Sequence, residues 1–261
     1  MKTLKIDLPE TIKELELHAI ADTHIGDANS DMKLLQKRID YIRDTKNAYC
    51  ILNGDILNNA TKTSVSDIYS ETLSPMQSVN KAKEMFMPIR DKILYINSGN
   101  HEQRTYQKEG IDLLQLFAIE INLSDKFTPE SAVLFIQFGK HNKQNGKSKV
   151  RKVCYSVYAL HGRGGGRKEG SKINRLADMA GIVDTDIYIH AHTHLPAVIK
   201  ENFFRIDIPN AKVNEVTKLF VNSSATLTYG GYGAINEYKP SATDTPVIYL
   251  NGTKKEASAR L

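Results

Sequence analysis

Five short apolar runs in this chain stop at the same kind of residue, and that coincidence narrows the folds open to it. Residues 15–21 run into Asp22-Thr23-His24. Residues 49–52 lead to Gly54-Asp55, and residues 93–96 to Gly99-Asn100-His101-Glu102. Residues 153–160 stop at His161-Gly162, and residues 187–189 at His190-Ala191-His192-Thr193-His194. Runs of this length and composition read as buried strands. Ligand sites of open α/β sheets lie beyond the carboxyl ends of the strands, so five polar strand ends imply one shared site. Glycines at 54 and 99 let the backbone turn tightly there. In the last stretch, extended backbone would aim side chains i and i+2 the same way. His192 and His194 are then expected to reach one locus, where neutral imidazole binds divalent transition metals well.

The segments between these runs carry helical spacing. Ser30 or Asp31 caps a helix with Leu34, Leu35, Ile39 and Ile42 on its apolar face. Ser74-Pro75 starts another, expected to end near Met87 because Pro88 cannot continue it. Ile111, Leu114, Phe117, Ala118 and Ile121 mark a third, and a fourth is expected over about 171–179. Hairpins dominate the second half: residues 133–138 with 153–160, and 197–200 with 203–206 through Glu201-Asn202. Strands at 219–222 and 247–250 complete the pattern. With no repeat and no linker, the expectation is one α/β domain over residues 1–261, built from two stacked mixed β-sheets flanked by helices.

No run approaches the ~18 apolar residues of a membrane span, and residues 1–7 lack an apolar signal core. Cys50 and Cys154 sit inside apolar runs, so reduced core thiols in a cytoplasmic protein are expected. The Asn222-Ser223-Ser224 and Asn251-Gly252-Thr253 glycosylation patterns are discounted on the same ground. The net charge is +5, and residues 140–152 hold six cations (Lys140, Lys143, Lys147, Lys149, Arg151, Lys152) without an acid. The rest is near neutral. Such a projection suits a phosphate backbone such as DNA or RNA, or is simply a solvated turn.

Together the blocks Asp22-Thr23-His24, Asn53-Gly54-Asp55, Gly99-Asn100-His101-Glu102, Leu160-His161-Gly162 and Ala191-His192-Thr193-His194 resemble the calcineurin-like metallophosphoesterases. Ala191 departs from the glycine usual in that family. The resemblance implies two metal ions roughly 3.5–4 Å apart. Asp22, His24 and His194 would hold one; Asn100, His161 and His192 the other; Asp55 would bridge them. Oxygen and imidazole ligands without thiolate suit Mn²⁺, with Fe or Zn²⁺ as alternatives. Such ions attract phosphate and lower the pKa of bound water toward ~7. His101 would protonate the leaving oxygen, and Glu102 would orient it or a ligand, or merely cap a helix. His190 is expected to be a packed supporting residue. His18 and His141 carry no signal.

Arg163, Arg167 and Lys168 flank the Gly164–Gly166 loop, and Arg104 follows the Gly99 block. These cations are candidates to grip a substrate phosphate; a solvated loop is the other reading. The bridging block Gly54-Asp55-Ile56-Leu57-Asn58-Asn59-Ala60 lacks the arginine of the serine/threonine phosphatases. Asp22-Thr23-His24-Ile25-Gly26 is similar to the first block of Mre11/SbcD-type nucleases. The expected activity is therefore that of a dinuclear metal-dependent phosphodiesterase acting on nucleic acid or nucleotides. A phosphomonoesterase or a non-catalytic metal-binding scaffold is the alternative.

Overall fold

Continuously buried central strands, flanked by half-exposed ones, build two six-stranded mixed sheets that face each other. The computed structural model describes residues 1–9, 11–62, 64, 67–139, 153–164 and 166–261. The chain enters through β1 (Lys2–Asp7) and β2 (Glu14–Ile20), then α1 (Met32–Asp44) and β3 (Ala48–Asn53). Next come α2 (Pro75–Phe86), β4 (Ile93–Asn97), α3 (Asn100–Glu109), α4 (Leu113–Glu120) and β5 (Phe127–Thr128). A hairpin pairs β6 (Ala132–Phe138) with β7 (Val153–Ala159) in register from Ala132↔Ala159 to Phe138↔Val153. The basic stretch 140–152 that joins them lies outside the described residues. After α5 (Glu169–Asp178) and β8 (Ile187–His190) come β9 (Ala197–Asp207), β10 (Lys212–Asn222), the short α6 (Gly231–Ile235), β11 (Val247–Asn251) and β12 (Ala257–Arg260).

The sheet orders are β12-β11-β2-β3-β4-β5 and β1-β6-β7-β8-β10-β9. Strands β2, β3 and β4 run parallel in the first sheet, and β7, β8 and β10 in the second. Their carboxyl ends consequently share one edge of the sandwich. Leu15, Leu17 and Ala19 of β2 pack inward against Leu134, Tyr155, Val157 and Ile189. The other face of the first sheet is covered by α1, α2 and α4, with Leu35, Ile39, Phe86 and Phe117 buried among Leu52 and Ile96. On the second sheet, Leu176 of α5 covers Tyr158, Tyr188 and Phe220. The two chain ends meet opposite sheets, β1 pairing with β6 and β12 with β11, so the molecule is one domain.

Local chemistry fixes the helix starts. The Asp31 carboxylate accepts from Leu34 N at 2.9 Å, and Ser74 and Gln77 form a capping box ahead of Pro75. Three departures from expectation have physical causes. Residues 197–206 form no hairpin: Glu201 and Asn202 sit mid-strand in β9. The Asn202 amide donates to Glu215 on β10 (2.6 Å) and its oxygen accepts from the Thr217 hydroxyl (2.9 Å), so the polar pair is held across the ladder. The chain turns instead at 208–211, where Ala211 has φ 48°. Helix α3 escaped notice because Glu102 is its buried residue, so it shows no apolar stripe. Strands β1, β5 and β12 were not anticipated either. They are a half-exposed strand, a two-residue strand and a short edge strand.

No helix among the described residues is long and apolar enough to cross a membrane. Both cysteines are free; Cys50 is buried, which pushes its thiol up to about 12, and Cys154 is half-buried. Asn222 is buried, consistent with discounting its glycosylation pattern.

Candidate metal centre

At the shared edge the backbone takes an unusual form. Asp22 (φ 50°), His24 (46°), Asp55 (50°), His192 (65°) and His194 (56°) all lie in the left-handed region, rare for residues with a Cβ and concentrated at functional sites. This corrects the extended reading of the last block. The left-handed turns send His192 toward Asp55 and His161, and His194 toward Asp22 and His24. The two histidines serve neighbouring groups, not one locus. Ala191 does not have positive φ, so its methyl is accommodated. Gly99 is required by contact: a Cβ there would fall 2.1 Å from Asp55 Oδ1.

Three groups of possible ligand atoms result, each with its atoms within 4.8 Å of one another. They are Asp22/His24/His194, His24/Asp55/His101 and Asp55/His161/His192, chained through His24 and Asp55. His194 Nε2 lies 3.3 Å from Asp22 Oδ1 and 3.5 Å from His24 Nε2. His161 Nε2 lies 3.1 Å from Asp55 Oδ2 and 3.3 Å from Asn100 Oδ1. Buried His24 Nδ1 has no hydrogen-bond partner, which is expensive unless a cation or similar group completes the site. The donor set of carboxylate, amide oxygen and imidazole fits divalent ions.

Electrostatics point the same way. Burial alone would raise Asp22 and Asp55, but the facing histidines outweigh it and hold both carboxylates below the usual range. His161 shows the converse: burial pulls it down, yet Asp55 and Asp22 push it to about 10. A proton there stands in for cationic charge between two buried carboxylates. His24 and His192 are held low, first by burial.

Supporting contacts fix the ligands. His161 Nδ1 donates to Asn53 O at 2.8 Å, leaving Nε2 to face the site. His192 N donates to Asp22 Oδ2 (3.0 Å), and His101 N to Asp55 Oδ1 (2.9 Å). The buried Glu102 carboxylate accepts from Gly99 N (2.8 Å), Leu57 N (2.9 Å) and Asp55 N (3.1 Å). It thus caps α3 and braces the Asp55 loop together. His190 is buried, as expected of a supporting residue, with Nδ1 2.9 Å from Asn222 Oδ1. The Asn222 amide also donates to Thr193 Oγ1 (2.9 Å) and Leu195 O (2.6 Å), clamping the His192–His194 loop. Sequence reasoning missed Asn222, which looked like the end of an ordinary strand.

His101 faces a cavity of about 730 Å³ that His24, Asp55, Asn100, Arg104 and His194 also line. Its Nδ1 lies 2.7 Å from Asn58 O, and Arg104 Nη2 lies 2.9 Å from its Nε2. Burial, with Arg104 assisting, holds His101 below its ordinary pKa against the pull of Asp55. A second cavity of about 430 Å³ shares Asn100 and is lined by His161, Gln103 and Arg163. Arg163 donates to Gln103 Oε1 at 2.8 Å. Arg167 and Lys168 line neither cavity: the Arg167 guanidinium lies 5.8 Å from the Tyr238 ring centroid, and Lys168 precedes α5 as its N-cap.

The family model for calcineurin-like phosphoesterases matches residues 16–196. Among solved structures, the chain is similar to a conserved uncharacterized protein of Streptococcus pneumoniae described as a predicted phosphoesterase. The two are 11% identical over 96% of this chain and 100% of that one, with a TM-score of 0.36. It is also similar to Vps29 of Entamoeba histolytica complexed with Zn²⁺ (11% identity, 94% and 97% covered, TM-score 0.40). A third is the nuclease MPE of Pseudomonas putida (11% identity, 94% and 87% covered, TM-score 0.35). No curated protein matches.

Proposed function

The chain belongs to the calcineurin-like phosphoesterase family, and from that membership we propose that it is a dinuclear metal-dependent phosphodiesterase acting on nucleic acid or nucleotides. Asp22, His24 and His194 would hold one ion, Asn100, His161 and His192 the other, with Asp55 between the two groups. Bound divalent ions, Mn²⁺ foremost, neutralise phosphate charge and make water nucleophilic at neutral pH.

The observation that supports the diester reading is that Asn100 lines two separate cavities. A phosphodiester bears a substituent on each side of phosphorus, and a cavity on either side of that residue suits one. The Glu102 brace and the Asn222 clamp keep the ligands in place without rearrangement when substrate arrives. In the substrate-free geometry His101 Nδ1 donates to Asn58 O and Nε2 accepts from Arg104, so Nε2 carries no proton. When substrate binds, Arg104 turns to a phosphate oxygen, and the freed Nε2 takes up a proton from solvent and passes it to the leaving oxygen.

The test is a panel of thymidine p-nitrophenyl diesters, p-nitrophenyl phosphate, DNA and RNA, assayed with Mn²⁺-loaded protein. Diesters should be cleaved at least tenfold faster than the monoester, and EDTA should abolish turnover. Asp55→Asn should lose roughly a thousandfold or more in kcat while remaining folded, since it removes a ligand charge and no core packing. Preference for the monoester would overturn the diester reading. Failure to take up about two ions per chain would overturn the ligand assignment.

A further inference from the structure

The segment between β10 and β11 lies beyond the stretch matched to the family, 16–196, yet it builds one side of the large cavity. It leaves β10 at Asn222 and is fastened at once to the first metal loop. Thr226 N donates to Asp22 O (3.1 Å), Asp31 N to Thr226 O (2.8 Å), and Thr228 N to Asn29 O (2.9 Å). Its far end is fastened as well: Thr243 O accepts from Ser224 Oγ at 3.2 Å and from the Arg38 guanidinium. Lys239 bridges to Glu169 at the start of α5 (2.7 Å). The segment is a strap held at both ends and tied across its middle.

Two aromatic residues of the strap line the cavity beside the ligand groups. Tyr229 and Tyr238 line the space that His24, His192 and His194 also line. Tyr229 is 56% exposed, an aromatic ring left open next to a polar centre. Tyr238 is half-buried with the Arg167 guanidinium over its ring. Lys172 and Lys239 add cations to the same cavity. Asp27 and Asp31 line it too, so the cavity is mixed in charge, and an aromatic face in it adjoining a phosphate site matches a nucleoside joined to that phosphate. Bases stack on such rings whatever their sequence, and cations follow the backbone. A volume of about 730 Å³ falls within the range of sites that enclose a ligand of that size.

We infer that the strap is a nucleoside-binding wall, with Tyr229 as the ring on which the base beside the scissile phosphate stacks. This rests on the phosphodiesterase reading and narrows it to diesters that carry a nucleoside in the large cavity. Tyr229 is a specificity residue with no part in bond breaking.

Two diesters with the same leaving group separate the ideas: thymidine 5′-(p-nitrophenyl phosphate) and methyl p-nitrophenyl phosphate, cleaved by the full chain with Mn²⁺. Tyr229→Ala should lose about tenfold in kcat/KM on the thymidine ester, mainly through KM, as expected for one base–aromatic stack. The methyl ester should stay within twofold, and Tyr229→Phe should restore the thymidine ester. Equal loss on both esters, or no loss on either, overturns the wall. Cleavage of neither ester by the wild type defeats the phosphodiesterase reading instead. Calorimetry then judges the wall by itself, comparing thymidine 5′-monophosphate with methyl phosphate on wild type and Tyr229→Ala. Tighter thymidine binding that the variant abolishes upholds it, and indifference to the base overturns it.

Discussion

Replacing Asn222 by leucine tests whether one buried amide holds both metal groups in place. Leucine keeps the branched outline of the amide with no polar atom, at the cost of bulkier methyl groups. Four hydrogen bonds vanish: those to His190 Nδ1, Thr193 Oγ1 and Leu195 O, and a long one to Ser223 O at 3.4 Å. His190 and Thr193 are 2% and 8% exposed, so water does not replace the lost partner there. A buried polar group left unpaired costs about 1–3 kcal/mol. The Thr193 hydroxyl can rotate, which puts it at the low end, and the half-buried Leu195 carbonyl costs little. Added apolar contact returns about 1 kcal/mol. The net loss is about 1–3 kcal/mol, read by urea unfolding in EDTA. The loop that carries His192 and His194 also loses its anchor. If about 1.4 kcal/mol of the loss falls on ligand placement, affinity drops tenfold, and it drops for both ions because the loop serves both groups. Calorimetric Mn²⁺ titration reads that directly. A stability loss under 1 kcal/mol, or a large loss with unchanged affinity for both ions, would refute the clamp.

His18 gives a pH prediction away from the site. Burial lowers it to about 4, so between about 4 and 6.5 the unfolded chain binds a proton that the folded chain does not. Its contribution is complete above pH 6.5 and is lost as the pH falls to 4, by about 3 kcal/mol at most; His18→Gln should flatten that part of the stability–pH curve measured in EDTA. Replacing Lys143, Lys147, Lys149 and Arg151 by Ser should weaken binding to long DNA or RNA and reduce its salt slope, with small-diester hydrolysis unchanged; an unaltered salt slope would make the stretch a solvated turn.

Legibility in the sequence followed the nature of each signal. The strands leading to Asp22, Asp55, Asn100, His161 and His192 were readable because buried parallel strands are continuous apolar runs. The caps at Asp31 and Ser74 were readable because capping is local chemistry. Helix α3 was hidden by its polarity, and β9 by a polar pair whose partners lie on another strand. The left-handed backbone of His192 and His194 was hidden because side-chain type does not announce it at residues other than glycine. Arg167 and Lys168 were candidates for a phosphate, with a solvated loop as the other reading; Arg167 lies over the Tyr238 ring and Lys168 stands ahead of α5, and neither lines a cavity. Asn222 and the strap acquire meaning only through contacts made at long range.

The left-handed residues at the centre also bear on how such a protein diverges. A left-handed residue with a Cβ sits about 1–2 kcal/mol above its relaxed form, so five of them burden the bare fold by on the order of 5 kcal/mol or more. Ligation of bound ions would offset that load. In a lineage that abandons the ions, positions 22, 24, 55, 192 and 194 become plain liabilities, and selection for stability favours glycine or asparagine at each. Each such exchange stabilises the metal-free fold and removes or weakens a ligand, so the return to metal chemistry is uphill at every position. Loss of function in this architecture therefore behaves as a one-way passage, written first in the backbone and only secondarily in the chemistry of the side chains.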